Sequence, residues 1–577
     1  MDPMNQIRTH RILPALFWTL LLLSLCFLYG PLVIHDPILA FDDTLLIDPL
    51  RTVHSLSDYR HALQVGSILD VQPVRDLSLW LDLEAQARLP FASFHLTNLL
   101  LWGLALIVFH RLQRRIGLSE WTTRITTALY SLHPAVMNSV AWISARKHVL
   151  ALLFILIATD WVVQAAQRKK LTCLVVLGIL VSYGISCFSH PISVLWPVFA
   201  LTYLWGHGVA VLRSHTSKTF CALLITVCLV CIVLNQTYYT ELYVAQTGGV
   251  GKYVSAEHDT LGIKLLVLGR YFFQMICPIW ACITPPYAGS PKNLVGLVLL
   301  PVCGQMFRKY APRESAYWLL YSILPLAPVV LKMTNNFASD TYLLNALIGF
   351  FVAMACLIHA QRVEIKKWIP LATTALLAIC FGKSFQLARV WESTFKIFEY
   401  SYFNEPTPAN TAQYGLHLLD THHHAAALEL ARQVAQWKPE QRELPLLYAK
   451  TVYSYPTWST EKKIQELENH RILSPWFSYF LAGLQAKNRQ FEKAHQEMQL
   501  PLKNLNQFVY QFDEMLELVT AETFFFCAQA KQASCHSLIS DIQQELLTHP
   551  ELRKTAWNES MFSIRMNELK AQFGQGK

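Results

Sequence analysis

Between residues 12 and 386 the chain is a succession of apolar runs separated by short polar links, and the last 190 residues lose that pattern. Few folds accept such a layout. An apolar run of about 20 residues spans roughly 30 Å of hydrocarbon as a helix, so the first part is predicted to cross a membrane many times. Charge agrees with this: only 15% of residues are charged, against about 25% in a soluble domain. The net charge of +9 is spread as small basic clusters between apolar runs. That is the pattern of membrane-orienting loops, and nucleic acid is excluded as a partner.

The first run, Ile12 to Ile34, follows Arg8 and Arg11 and has no small-residue cleavage site after it, so it is read as a retained span. Further spans are expected near 94–112, 122–142, 149–166, 171–188, 192–207, 219–236, 291–306, 316–332, 341–360 and 368–386. With the N-terminus cytoplasmic, eleven spans put the clusters Arg111/Arg114/Arg115, Arg168/Lys169/Lys170, Arg213/Lys218, Arg308/Lys309/Arg313 and Arg362/Lys366/Lys367 on the cytoplasmic side. Leu261 to Thr284 is also apolar but carries Lys264, Arg270 and Gln274. It is read as a re-entrant or interfacial helix on the outer side. The reading is all-α: a membrane domain over 1–386, with an outer loop at 35–93, and a helical-repeat domain over 387–577 on the non-cytoplasmic side.

In that tail, Tyr414-Gly415, Ala425/Ala426 and Pro439 follow the order of a tetratricopeptide repeat. Pro475 is read as the next closing proline, Trp476, Tyr479, Ala482-Gly483 and Ala494 as a third unit, and Pro550 as the end of a fourth. The period of 34 to 37 residues fits a solenoid of helix pairs, whose concave face binds extended peptides or proteins. A capped bundle without a groove is the plainer alternative. His422-His423-His424 is read as a solvated turn between paired helices. Eleven of the 13 cysteines lie in the apolar part without ligand spacing and read as small hydrophobes. For Cys527 and Cys535, pairing across a hairpin is left open, since geometry decides it.

The polar residues with chemical potential gather at outer links. Asp42 and Asp43 stand just beyond the first span, followed by Gln72-Pro73-Val74-Arg75-Asp76-Leu77-Ser78, Asp82 and His95-Leu96-Thr97-Asn98. Three more clusters lie at His133-Pro134 through His148, at Ser189-His190-Pro191 and from Asn335 to Asp340. A carboxylate at the membrane boundary suits a general base for a hydroxyl, although a lone Asp-Asp is more often a solvated acidic turn. Arg146, Lys147 and Arg270 are donors that a phosphate leaving group needs, although each taken singly is more often an interfacial anchor.

Taken in order, Phe41-Asp42-Asp43, Pro73 to Ser78, His95 to Leu100, Leu132-His133-Pro134, Val140 to Ser144 and Arg146-Lys147 resemble the transmembrane and tetratricopeptide-repeat family. Those are GT-C-type glycosyltransferase-like proteins similar to the protein O-mannosyltransferases. Ser189-His190-Pro191 and Ser339-Asp340-Thr341-Tyr342 extend the likeness. The resemblance implies a GT-C fold that moves a sugar from a polyprenyl-phosphate-linked donor to a protein Ser/Thr hydroxyl or a glycan. On this chain it makes Asp42, then Asp43, the catalytic acid. It gives the donor phosphate to Arg146, Lys147 and Arg270, and lines the site with His95, Asn98, His133, His190 and Asp340. It implies an acceptor protein held by the repeats and contact with membrane lipid. No metal ligands are read, and a divalent cation (Mg or Mn) is left open as a cofactor.

The chain departs from the family pattern at Gln72, Asn138 and Thr341, where the family usually has Arg, an acid and Arg. The alternative is therefore a non-catalytic membrane scaffold with a degenerate GT-C fold. A transporter is a third reading, weakened by the absence of paired half-repeats. Short loops favour a bacterial inner membrane with a periplasmic tail. In a eukaryote the tail is luminal, and Asn235-Gln236-Thr237 and Asn558-Glu559-Ser560 become glycosylation acceptors.

Overall fold

The computed structural model describes residues 3–34, 43–64, 72–89, 93–209, 215–234, 261–281, 283, 292–310, 312–332, 339–360, 369–404, 406–435, 443–470 and 474–503. Asp42, the 333–338 link, the basic cluster at Arg362, both glycosylation acceptors, Cys527, Cys535 and the fourth repeat with Pro550 lie outside these residues. All secondary structure among the described residues is helical. The chain forms two compact units, one built on 1–54, 70–240 and 253–397, the other on 55–69, 241–252 and 398–577.

Five helices of the first unit are long and apolar enough to cross a membrane: Ala15–Ile34, Phe94–Arg115, Arg146–Arg168, Asp340–His359 and Pro370–Val390. The chain is accordingly a membrane protein. Three shorter apolar helices, Cys173–Ser189, Pro191–Gly206 and Lys218–Val233, accompany them. Arg146–Arg168 and Asp340–His359 are 78% and 83% buried, whereas Ala15–Ile34 and Pro370–Val390 are 28% and 22% buried, so the first two form the centre of the unit. The outer helices expose Leu16, Leu20, Leu22, Leu23, Leu100, Leu104 and Ile107, a surface that suits lipid rather than water.

Helix starts follow their capping residues. Ser93 Oγ accepts from Leu96 N at 3.1 Å and Ser119 Oγ from Thr122 N at 3.1 Å. Each satisfies an N–H group that the first turn leaves open. Two stretches expected as single spans are broken instead. The 122–142 stretch divides into Glu120–Ser131 and Pro134–Ala141, with His133 capping the second piece. The 316–332 stretch divides into Arg313–Ile323 and Leu326–Lys332. The reason is the same in both: proline lacks the N–H that would continue the ladder, so Pro134 restarts a helix and Pro325 ends one.

Side-chain bonds give the relative directions. Asn98 meets Arg146 near the starts of their helices, and Arg115 meets Asp160 near the ends, so these two helices run parallel. Ser186 Oγ donates to Ala151 O at 2.7 Å, which brings the end of Cys173–Ser189 to the start of Arg146–Arg168. Ser315 bonds Ala353 and Ser322 bonds Ala346, making Arg313–Ile323 antiparallel to Leu343–His359. Gly349 allows that approach: a Cβ there would collide with the backbone of Trp318 and Ser322. Close contact through small residues is how apolar helices associate where lipid supplies no hydrophobic drive. The segment expected to re-enter is the amphipathic helix Leu261–Ile276, which packs along Lys292–Tyr310.

In the second unit, Pro408–Asp420 pairs with His424–Ala435, Glu443–Ser454 with Thr460–Asn469, and Pro475–Lys487 with Phe491–Lys503. The first helices of these pairs start 35 and then 32 residues apart, and each pair packs on the next. Pro475, expected to close a unit, opens one: it occupies the first turn of its helix, where its missing N–H costs nothing. The His422-His423-His424 run sits at a turn, with His422 at φ +63°.

Candidate functional site at one end of the membrane unit

The helices Asp43–Arg51 and Pro73–Gln86, between the first two long apolar helices, pack on each other, tied by Trp80 Nε1 donating to Val53 O at 2.8 Å. Around them, five stretches bring buried polar groups to one end of the apolar helices. The Asp43 carboxylate is fully buried. Its Oδ1 accepts from Ser144 N at 2.8 Å and from the Ser144 hydroxyl. This bond joins the start of the first loop's first helix to the turn between Pro134–Ala141 and Arg146–Arg168, across 101 residues of chain.

Two residues further on, Arg146 is also fully buried. Its Nε donates to Asn98 Oδ1 at 2.5 Å, one terminal nitrogen to Ser78 O at 3.1 Å, and the other to Asp82 Oδ2 at 2.5 Å and Phe94 O at 2.8 Å. Asp82 Oδ1 accepts from Thr97 Oγ1 at 2.7 Å. Asn98 Nδ2 continues the network to Val140 O and Trp142 O at 3.2 and 3.3 Å. Arg146 was expected to meet a phosphate; in this arrangement its donors meet protein acceptors. A guanidinium fork suits such contacts because its geometry is rigid.

A separate buried pair lies nearby in sequence. Arg75 donates through Nε and a terminal nitrogen to Asp76 Oδ1 at 2.8 and 2.7 Å, and Gln72 N donates to Asp76 Oδ2 at 3.1 Å. Gln72, a departure from the family pattern, thus serves by its backbone. Asn138, a second departure, bridges by its side chain: Nδ2 donates to Ile283 O at 3.3 Å and Oδ1 accepts from Trp391 Nε1 at 3.2 Å. Thr341, the third, is buried, and its carbonyl accepts from Ser139 Oγ at 3.4 Å.

The remaining expected residues are placed as follows by their contacts. His95 is buried beside Arg146 and the Ala141 carbonyl. His133 caps Pro134–Ala141, its Nδ1 accepting from Ala135 N at 3.2 Å. Arg270 faces Asp340 at 3.8 Å, both buried, beside Tyr271, whose hydroxyl donates to Ser339 O at 3.3 Å. His190 meets a residue outside the expected set: its ring lies 4.3 Å from that of His148, with Tyr342 5.4 Å from His148. Lys147 lies between Arg146 and His148 in sequence and is half-buried. Asp42 is not among the described residues.

Asp82, Ser144, His148 and Tyr342 were absent from the expected set. Nothing periodic marks them, since their partners lie 64 residues away for Asp82 and 101 for Ser144. The one local signal is an ionisable residue beside an apolar run. Among the described residues, no three His, Cys, Asp or Glu side chains form a metal-binding group. Compared with family models, curated proteins and solved structures, the chain matches none.

Proposed function

We propose that this protein is a GT-C-type glycosyltransferase of the membrane. It takes a sugar from a polyprenyl-phosphate-linked donor and gives it to a protein Ser/Thr hydroxyl, or to a glycan, on the non-cytoplasmic face. The reading includes eleven spans, a periplasmic or luminal tail, and a tetratricopeptide-like solenoid that presents the acceptor. One observation carries it. The stretches that resemble the family supply most of the buried polar groups gathered at a single end of the apolar helices, with Asp82 and Arg270 added from outside them. Ionisable groups at membrane depth are expensive and mark function.

In the proposed reaction, Asp42 accepts the proton of the attacking hydroxyl. The hydroxyl oxygen bonds to the anomeric carbon as the bond from that carbon to the phosphate oxygen breaks. Polyprenyl phosphate leaves with the electron pair. Lys147 and Arg270 stabilise its charge. Arg146 and Asp43 act as positioning residues, holding the Ser144–Arg146 turn against the first loop. His95, Asn98, His133, His190 and Asp340 line the space.

The test is mass spectrometry of exported proteins from cells carrying wild type or Asp42→Asn, with membrane levels matched. Loss of a hexose-type mass in the variant supports the enzyme, and unchanged glycoproteins remove Asp42 from the reaction. A second reading, a non-catalytic scaffold, draws on the spent donors of Arg146 and the engaged carboxylate of Asp43. On that reading, deleting 405–577 abolishes function, while replacing the outer-loop acids does not.

A further inference from the structure

Deeper in the first unit, two interrupted segments face one cavity. The turn Pro191–Ser193 and the break at Leu324-Pro325 both line it, together with Trp196, Tyr321 and Asn345. Ile155 closes it from the central helix. The space admits roughly one water molecule.

Its polar groups are under-used. Asn345 is 2% exposed in a helix with no other polar side chain before its last residue than Cys356. Neither its amide nitrogen nor its amide oxygen has a hydrogen-bond partner. The Tyr321 hydroxyl has none of good geometry either. Pro325 has no N–H, so the Tyr321 carbonyl, four residues earlier, loses its helical donor. Ser193 offers an acceptor: Ser186 Oγ donates to the Ala151 carbonyl at 2.7 Å, so the 2.7 Å contact between the two hydroxyls is a donation from Ser193. That leaves the Ser193 oxygen with lone pairs only. Donors and acceptors are therefore both present, with no charged side chain lining the cavity. An ion would be uncompensated there, whereas a water uses both kinds of group.

We propose that the cavity is a binding site for one internal water. The water accepts from Asn345 Nδ2 and donates to Ser193 Oγ or the Tyr321 carbonyl, tying the two interruptions together. Irregular backbone at membrane depth is stable where such a partner re-satisfies it.

Brief radiolysis of the detergent-solubilised full chain in oxygen-18 water, with bulk radicals scavenged, tests this. A held water marks the side chains around it. Tyr321 and Trp196, 2% and 4% exposed, are expected to gain the label several-fold faster than Tyr29 and Tyr203, each 3% exposed. Asn345→Leu, similar in size, should bring both down to the control rate, while Asn345→Ser, which keeps one polar atom, retains part of the excess. Labelling of wild-type Tyr321 and Trp196 at the control rate overturns the proposal without any variant. An unchanged excess in Asn345→Leu overturns the role of Asn345.

Discussion

The Phe94–Arg115 and Arg146–Arg168 helices carry an arginine–carboxylate contact at each end, and the two contacts differ in setting. At one end Arg146 and Asp82 are 0% and 11% exposed, and Arg146 also bonds Asn98, Ser78 and Phe94. At the other, Asp160 is 3% exposed and held by two arginines, Arg111 at 62% and Arg115 at 23% exposure. The chemistry is the same, but the desolvation is not. A buried charge that loses its partner stays buried and unpaired, while an exposed arginine returns to solvent and leaves a second one in place.

Arg146→Met tests the first case most severely. It strands Asp82 and Asn98, and a loss of about 3–5 kcal/mol in unfolding free energy is expected in detergent melts. Adding Asp82→Leu should recover part of the loss, because the stranded carboxylate goes too. Asp43→Ala comes next: it leaves Ser144 N–H and hydroxyl without an acceptor, a cost of about 1–3 kcal/mol. Asp43→Asn, which keeps an acceptor oxygen, should be milder. Trp391→Phe removes the bond to Asn138 and part of a fully buried ring, and about 1–2 kcal/mol is expected.

Arg111→Ala, at the other end, should cost less than about 1 kcal/mol, because Arg115 still holds Asp160 at 2.7 Å. Equal losses for Arg111→Ala and Arg146→Met would end the distinction between the two ends.

The helical tail supplies a water-exposed third case. Glu466 accepts from Arg432 at 2.8 Å and from the Tyr448 hydroxyl at 3.1 Å. Burial raises its pKa, but the bonds from Arg432 and Tyr448 outweigh this, and the group ends below the ordinary glutamate value. Burial lowers the pKa of His417. Both depressions favour the deprotonated forms in the folded tail, so their contribution is complete at neutral pH and fades with acid. The fade begins below the ordinary histidine value of about 6.5 and continues below the glutamate value of about 4.3. Circular dichroism melts of the full chain should show the tail transition moving down as pH falls from 8 to about 4, the smallest of these effects. A transition that rises over that range would contradict the assignment.

Much of the helical architecture was legible because it is local. Apolar length marks a span, Ser93 and Ser119 mark starts, and Pro134 and Pro325 mark breaks, although reading 122–142 and 316–332 as unbroken overlooked the last of these. The candidate site was legible only as a collection: Asp43, His95, Asn98, Arg146, His190 and Asp340 stand out as polar residues beside apolar runs. The sequence does not say which of them touch, since no periodicity links Asp43 to Ser144 or Asp82 to Arg146.

By itself, then, the sequence determined an all-helical membrane chain with polar groups at selected links, because hydrocarbon thickness and backbone hydrogen bonding leave an apolar run little choice. Tertiary structure alone decided that Arg146 bonds Asn98 and Asp82 and that Asp43 bonds a distant turn. It also decided that Asn345 faces a cavity between two interruptions. Those outcomes depend on which helices become neighbours, and desolvation, which sets the worth of every polar contact, exists only after they have packed.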